Sequence, residues 1–94
     1  MLIISNTQEL RELLNEEGQH TLEKAIKSAF YTSWEYYMRN GYSIQRANEA
    51  SATDIYIDLI SDAFTEEVNF SISKKETEEY LLENMSITAA YVQQ

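Results

Sequence analysis

The chain contains no proline and only two glycines, Gly18 and Gly41, so very few of its residues disfavour a helix. Proline and glycine are the residues least compatible with a helix interior. Both glycines follow stretches with helical periodicity, and glycine is common just beyond a helix C-terminus. The sequence therefore predicts a mainly α domain, with helix boundaries marked by polar capping residues and by these two glycines.

Capping signals divide the chain into four predicted helices. Asn6 is expected to cap the first, with Glu9 as its capping-box partner, and Gly18 to end it. The second is expected to start at a Thr21 cap and to close at Gly41. The remaining helices cover residues 43–66, capped by Ser43, and 73–84, capped by Ser73. Residues 86–92 fit either a strand or a helix, and Ser86 as a possible cap favours the helix.

A short strand is predicted between the third and fourth helices. Val68, Phe70 and Ile72 alternate with polar residues, which is typical of a strand exposed on one face. The apolar segment at residues 2–5 is its expected partner. We therefore predict one domain over residues 1–94: a compact bundle of about four helices with a minor two-stranded β element, residues 2–5 with 68–73.

The third predicted helix carries a row of acids. Between Arg46 and Lys74 the chain has no Lys, Arg or His. The acids of this stretch are Glu49, Asp54, Asp58, Asp62, Glu66 and Glu67, and four of them recur at every fourth residue. On one continuous helix such acids form a ridge with a rise of about 6 Å between neighbours.

Uncompensated like charges at this spacing destabilise a helix, so the ridge is either a solvated face or a surface for a cationic partner. Its rise is close to the spacing of successive phosphates on one nucleic-acid strand, which predicts that a phosphate-binding groove would accept it. The inward face of the same helix is expected to comprise Ala52, Tyr56, Leu59, Ile60 and Ala63.

The second predicted helix has two apolar stripes. One contains Leu22, Ile26, Ala29, Phe30, Ser33 and Tyr37, and the other contains Tyr31, Trp34 and Met38. A helix with two apolar sides is either central in its own domain or partly covered by another chain. If Tyr31, Trp34 and Met38 are exposed, they form an aromatic patch that anchors a partner or a second copy of the chain.

Residues that carry out chemistry are scarce. There is no cysteine, and the only histidine, His20, is expected in a polar connection between helices. No glycine-rich phosphate loop or nucleophile elbow is present. Carboxylates spread along one helix converge poorly on Mg²⁺ or Ca²⁺. We therefore expect no catalytic residue, cofactor or metal site.

The charge balance restricts the partners. Sixteen acids against seven bases argue against direct binding to nucleic acid or to an anionic membrane, and favour a basic protein surface. Residues 74–92 faintly resemble a helix-turn-helix, but the expected recognition helix offers only Gln93 and Gln94 as base readers. The first residues lack the features of a signal peptide and no apolar run could span a bilayer, so a cytoplasmic location is expected.

In size, acidity and lack of cysteine the chain is similar to small phage-encoded proteins, among them anti-CRISPR and other anti-defence inhibitors that imitate nucleic acid. That similarity implies an inhibitor that binds a basic, nucleic-acid-handling protein in the cytoplasm of a bacterial host. The alternative is an assembly subunit that forms a homodimer or larger homo-oligomer through the aromatic patch, and a helix-turn-helix regulator is a third reading.

Overall fold

The computed structural model describes residues 2–16 and 20–88. In chain order they form β1 (Leu2–Ile4), α1 (Thr7–Asn15), α2 (His20–Arg39), α3 (Ile44–Ile60), β2 (Val68–Phe70) and α4 (Lys74–Met85). The predicted mainly α fold with a minor two-stranded element is confirmed.

The two strands pair in parallel, with Ile3 opposite Asn69. Parallel strands need a long crossover, which α1, α2 and α3 provide here. Val68 and Phe70 are buried and Asn69 is exposed, as the alternation predicts. Both strands are shorter than predicted, although Ile72 beyond β2 is also buried.

The core lies between the helices and the inner face of this sheet. α2 and α3 form a helical hairpin with the most extensive contact in the molecule, and α4 packs against α3. The largest fully buried apolar side chains come from all four helices: Leu10, Ile26, Phe30, Ile55, Leu59 and Leu81.

Three of the four predicted N-caps are confirmed. The side chains of Asn6, Ser43 and Ser73 each accept a hydrogen bond from the backbone N–H three residues later. Thr21 is not a cap, because α2 already includes His20, which is therefore helical and not part of a connection. Gly18, the predicted end of the first helix, lies outside the described residues.

The predicted helix after Ser86 does not begin there. Ser86 is the C-terminal cap of α4, and residues 87 and 88 are not helical. Residues 89–92 of that predicted segment lie outside the described part of the chain.

Helix α2 ends in a Schellman motif. Gly41 adopts a positive φ of 88°, its N–H donates to the Met38 carbonyl at 3.2 Å, and the Tyr42 N–H donates to the Tyr37 carbonyl at 3.1 Å. The predicted role of Gly41 is thereby confirmed.

Helix α3 ends in the same motif without a glycine. Asp62 takes the positive φ, at 61°, and its N–H donates to the Leu59 carbonyl at 3.4 Å. The Ala63 N–H donates to the Asp58 carbonyl at 3.0 Å. The prediction that this helix continues to Glu66 is therefore wrong, because aspartate tolerates the left-handed conformation that ends it.

Candidate partner-binding surface

The predicted acidic ridge does not form as one rod. Glu49, Asp54 and Asp58 lie in α3, whereas Asp62 is in the turn that ends the helix. Glu66 and Glu67 lie in the connection to β2, and both are exposed. The regular spacing that would imitate phosphates is lost beyond Asp58, because the Schellman motif stops the helix at Ile60.

Asp54 contacts α2 and does not simply face water. Its Oδ2 accepts hydrogen bonds from Ser33 Oγ and from Tyr37 OH, both at 2.8 Å. The hydrogen bond to Asp54, together with burial, raises the pKa of Tyr37 to about 12. Asp54 therefore connects the two helices of the hairpin, and the sequence prediction of a fully outward side chain is wrong.

The rotation of α3 also differs from the prediction. Ala52 and Leu59 are buried as expected, and Ile55 joins them. Tyr56 is only half-buried, and Ala63 is exposed. Ile60, which was predicted to face inward, is 46% exposed, and Ile57 is 50% exposed.

None of the six predicted acids forms an ion pair within residues 2–16 and 20–88. The described ion pairs join Lys27 to Glu23, Arg39 to Glu35 and Lys74 to Glu78. Each pairs residues four apart on one helix. The binding role of the six acids stays a prediction, and their predicted arrangement as one continuous ridge is wrong.

Asp58 and Asp62 lie where negative charge does not help the fold. Both are at the C-terminal end of α3, and the last turn of this helix has no basic residue. The helix macrodipole is negative at this end, so each acid costs about 0.3–1 kcal/mol at low ionic strength. We refer to Asp58, Asp62, Glu66 and Glu67 as the acidic end of α3.

An open groove of about 510 Å³ runs between α2 and α3 beside this acidic end. Asp54 and Asp58 are its charged lining residues, and Ile57 is one of its apolar lining residues. Ala29, Thr32, Ser33 and Ile55 complete the lining, which contains no basic residue. The groove thus combines apolar surface with two carboxylates, a composition suited to a cationic and partly apolar ligand.

The predicted aromatic patch is divided between core and surface. Trp34 is only 5% exposed and belongs to the core, so its predicted role as an exposed anchor is wrong. Tyr31 is 38% exposed, its ring centroid lies 5.8 Å from that of Trp34, and Met38 is half-buried. An interface role for Tyr31 and Met38 stays a prediction.

A further aromatic cluster lies at the α2–α3 turn, where Tyr42, which the sequence analysis did not single out, joins Tyr36 and Tyr37. Tyr36 is 62% exposed and Tyr42 is 37% exposed. The Tyr37 ring lies 4.8 Å from that of Tyr42, over which the Arg46 guanidinium packs at 5.3 Å. The Tyr37–Tyr42 contact is the side-chain part of the Schellman motif, so Gly41 was the signal that could have indicated it.

Known proteins add nothing to this geometry: no family model matches the chain, and neither the curated proteins nor the solved structures searched contain a match. Within the described residues, no three acidic or histidine side chains converge as a metal site would require. No described helix is long and apolar enough to cross a membrane.

Proposed function

We propose that this chain is a non-enzymatic binding protein that engages a basic partner protein through the acidic end of α3. The observation that supports this most is that Asp58, Asp62, Glu66 and Glu67 follow one another along the chain without an ion pair among the described residues. Two of them oppose the dipole of their own helix, so they weaken the fold locally. Lysine and arginine side chains of a partner would reverse that cost.

The partner class that fits is a protein with a groove lined by Lys and Arg, as nucleic-acid-handling proteins have. Occupying such a groove would block it, which makes the chain an inhibitor on this proposal. The similarity in composition to phage-encoded anti-defence proteins supports the same class, and the encounter would take place in the cytoplasm. Imitation of regularly spaced phosphates is not part of the proposal, because the row of acids is interrupted at Asp62.

Charged contacts alone would raise the rate of association more than the affinity of the complex. The exposed Ile57 and Ile60 beside the acids supply apolar area that a partner can cover. Burial of apolar area contributes about 25 cal/mol per Å² to binding. This contribution is less sensitive to salt than that of the charged contacts.

The proposal is tested by affinity capture from a lysate of the organism that encodes the chain. The bait is compared with a variant in which Asp58, Asp62, Glu66 and Glu67 are replaced by their amides. A basic protein that is retained by the wild type, released by salt and lost with this variant supports the proposal.

The matched control replaces four exposed acids in or next to α1 and α4, namely Glu12, Glu16, Glu79 and Glu83. This control removes the same number of charges elsewhere on the surface. Equal capture by all three baits would reject the acidic end of α3 as the binding surface.

A further inference from the structure

We propose that the partner presents a cationic amphipathic helix, and that this helix lies along the groove between α2 and α3 with its apolar side on Ile57 and Ile60. This inference rests on the proposed function, since it specifies the form of the basic partner. Its three supports are the shape of the groove, the unpartnered isoleucines and the charge of the lining.

The groove has the form that a third helix fits. Its walls come from two adjacent helices, with Ala29 and Thr32 contributed by α2 and Ile55 and Ile57 by α3. Side chains of one helix pack into the grooves between the side chains of another, and a hairpin of two helices offers such a groove along its length. Amphipathic helices bind apolar grooves of this kind through anchors spaced at i, i+3, i+4 and i+7.

The two isoleucines supply apolar surface for the apolar side of the partner helix. Ile57 and Ile60 are three residues apart in α3, so their side chains are neighbours on one helix face. About half of each side chain is exposed. Together they form an unpartnered apolar face next to the groove, and a partner helix would cover it with its own apolar anchors.

The charge of the lining selects a cationic helix. Asp54 and Asp58 are the ionisable lining residues, and both are acids. Asp54 is already oriented by Ser33 and Tyr37, so less side-chain entropy is lost when a cation binds beside it. Asp58 accepts no side-chain hydrogen bond or ion pair from the described residues, and a basic side chain on the flank of the partner helix would supply one.

The probe for this inference is a synthetic peptide of about 16 residues, long enough for four helical turns. It carries leucine at i, i+3, i+4 and i+7 and arginine on both flanks. A second peptide has the same charge, but proline replaces two central residues and prevents the helix. Calorimetric titration of the full chain is expected to give an affinity at least about tenfold higher for the helical peptide, because only it presents all its anchors on one face. Equal affinities would overturn the inference.

Single variants locate the contact. Ile57→Asn, Ile60→Asn and Asp58→Asn are each expected to weaken helical-peptide binding by about tenfold, a typical effect of losing an interface anchor. The matched controls are Leu2→Asn, which changes an apolar residue of β1 that is 50% exposed, and Glu79→Gln, which removes an exposed charge of α4. Circular dichroism verifies that every variant keeps its helices. Equal losses in the controls and in the groove variants would also overturn the inference.

The failures of the two proposals are distinguishable. A captured basic partner that depends on the acidic end of α3, but is indifferent to Ile57→Asn and Ile60→Asn, contradicts the helix-in-groove inference and leaves the proposed function standing. Capture that does not respond to neutralisation of the four acids contradicts the proposed function itself.

Discussion

The carboxylate of Asp54 in α3 accepts a hydrogen bond from Tyr37 OH in α2 at 2.8 Å, and the Ser33 hydroxyl donates to the same oxygen at the same distance. One acid therefore connects the two helices of the hairpin through side-chain hydrogen bonds. These hydrogen bonds distinguish Asp54 from the other acids of the predicted row, which accept no side-chain hydrogen bond from α2 among the described residues.

Removal of this acceptor should destabilise the hairpin. We expect Asp54→Ala to lower the free energy of unfolding by about 1–3 kcal/mol, because two half-buried hydroxyls lose their partner. Asp54→Asn keeps an acceptor oxygen and should cost less. Chemical denaturation measures both variants. Asp58→Ala, one turn later, is the control. It should not lower the free energy of unfolding, because no described side chain donates a hydrogen bond to the Asp58 carboxylate and its charge opposes the helix dipole. Equal losses at the two positions would contradict the role given to Asp54.

The titration of Tyr37 gives an independent check. Its pKa is raised from 10.0 to about 12, first by the hydrogen bond to Asp54 and then by burial. The neutral phenol is the form that the fold favours, so its contribution to stability is complete below pH 10 and is lost as the pH rises through about 12. Ultraviolet titration of phenolate should show that Tyr37→Phe loses a tyrosine that ionises near pH 12, and that Asp54→Asn moves this ionisation to lower pH.

Tyr80 must be distinguished in that experiment, because burial raises its pKa as well. Its late ionisation should persist in Tyr37→Phe. A titration curve that is the same for the wild type and Asp54→Asn would show that the Tyr37–Asp54 hydrogen bond does not persist in solution.

The turn at Asp62 predicts a stabilising substitution. Asp62→Gly should raise the free energy of unfolding by about 0.5–1 kcal/mol, because glycine adopts the left-handed conformation without strain and the change removes an acid from a helix C-terminus. Asp62→Asn removes only the charge and should gain less. Thermal or chemical denaturation measures both variants.

The control is the reverse kind of substitution, which replaces glycine, at Gly41 in the equivalent position of α2. A Cβ there would meet nothing within 4 Å, so Gly41→Ala would be penalised only through its positive φ, by about 1 kcal/mol. A loss of stability in Asp62→Gly would contradict the helix end described for α3.

These positions show where sequence reasoning succeeded. Asn6, Ser43 and Ser73 were identified as caps because a helix start depends on residues within one turn of each other. Gly41 was identified for the same reason, since a positive φ is a local requirement that glycine meets. The pairing of the two short strands followed from the alternation of Val68 and Phe70 and from the scarcity of other apolar segments.

The predictions that were wrong concern features that depend on contacts between residues distant along the chain. No local signal distinguished Asp62 as the left-handed residue, because aspartate also occurs on exposed helix faces. The direction of Asp54 is determined by hydroxyls of α2, and the burial of Trp34 by the packing of α2 within the bundle. The continuous ridge and the exposed aromatic anchor were both predicted from one helix considered alone.

Asn48 is another residue that the sequence did not single out. It is 6% exposed, its Nδ2 donates to the Ile87 carbonyl, and its Oδ1 accepts from the Ile87 N–H, both at 2.9 Å. This pair attaches the chain after α4 to α3. Asn48→Ala should lower the free energy of unfolding by about 1–3 kcal/mol, because the half-buried backbone N–H and carbonyl of Ile87 lose their partner. Asn69→Ala, at the exposed position of β2, is the control, and a comparable loss there in denaturation experiments would contradict the assignment.

The acidic end of α3 is tested most directly by the salt dependence of partner affinity. The purified partner is titrated at several salt concentrations with three proteins. They are the wild type, the variant in which amides replace Asp58, Asp62, Glu66 and Glu67, and the control in which four acids in or next to α1 and α4 are replaced. We expect the logarithm of the wild-type affinity to fall steeply with the logarithm of salt, the first variant to bind weakly with a much smaller slope, and the control to resemble the wild type. Identical affinities and slopes for all three proteins would contradict recognition through this surface.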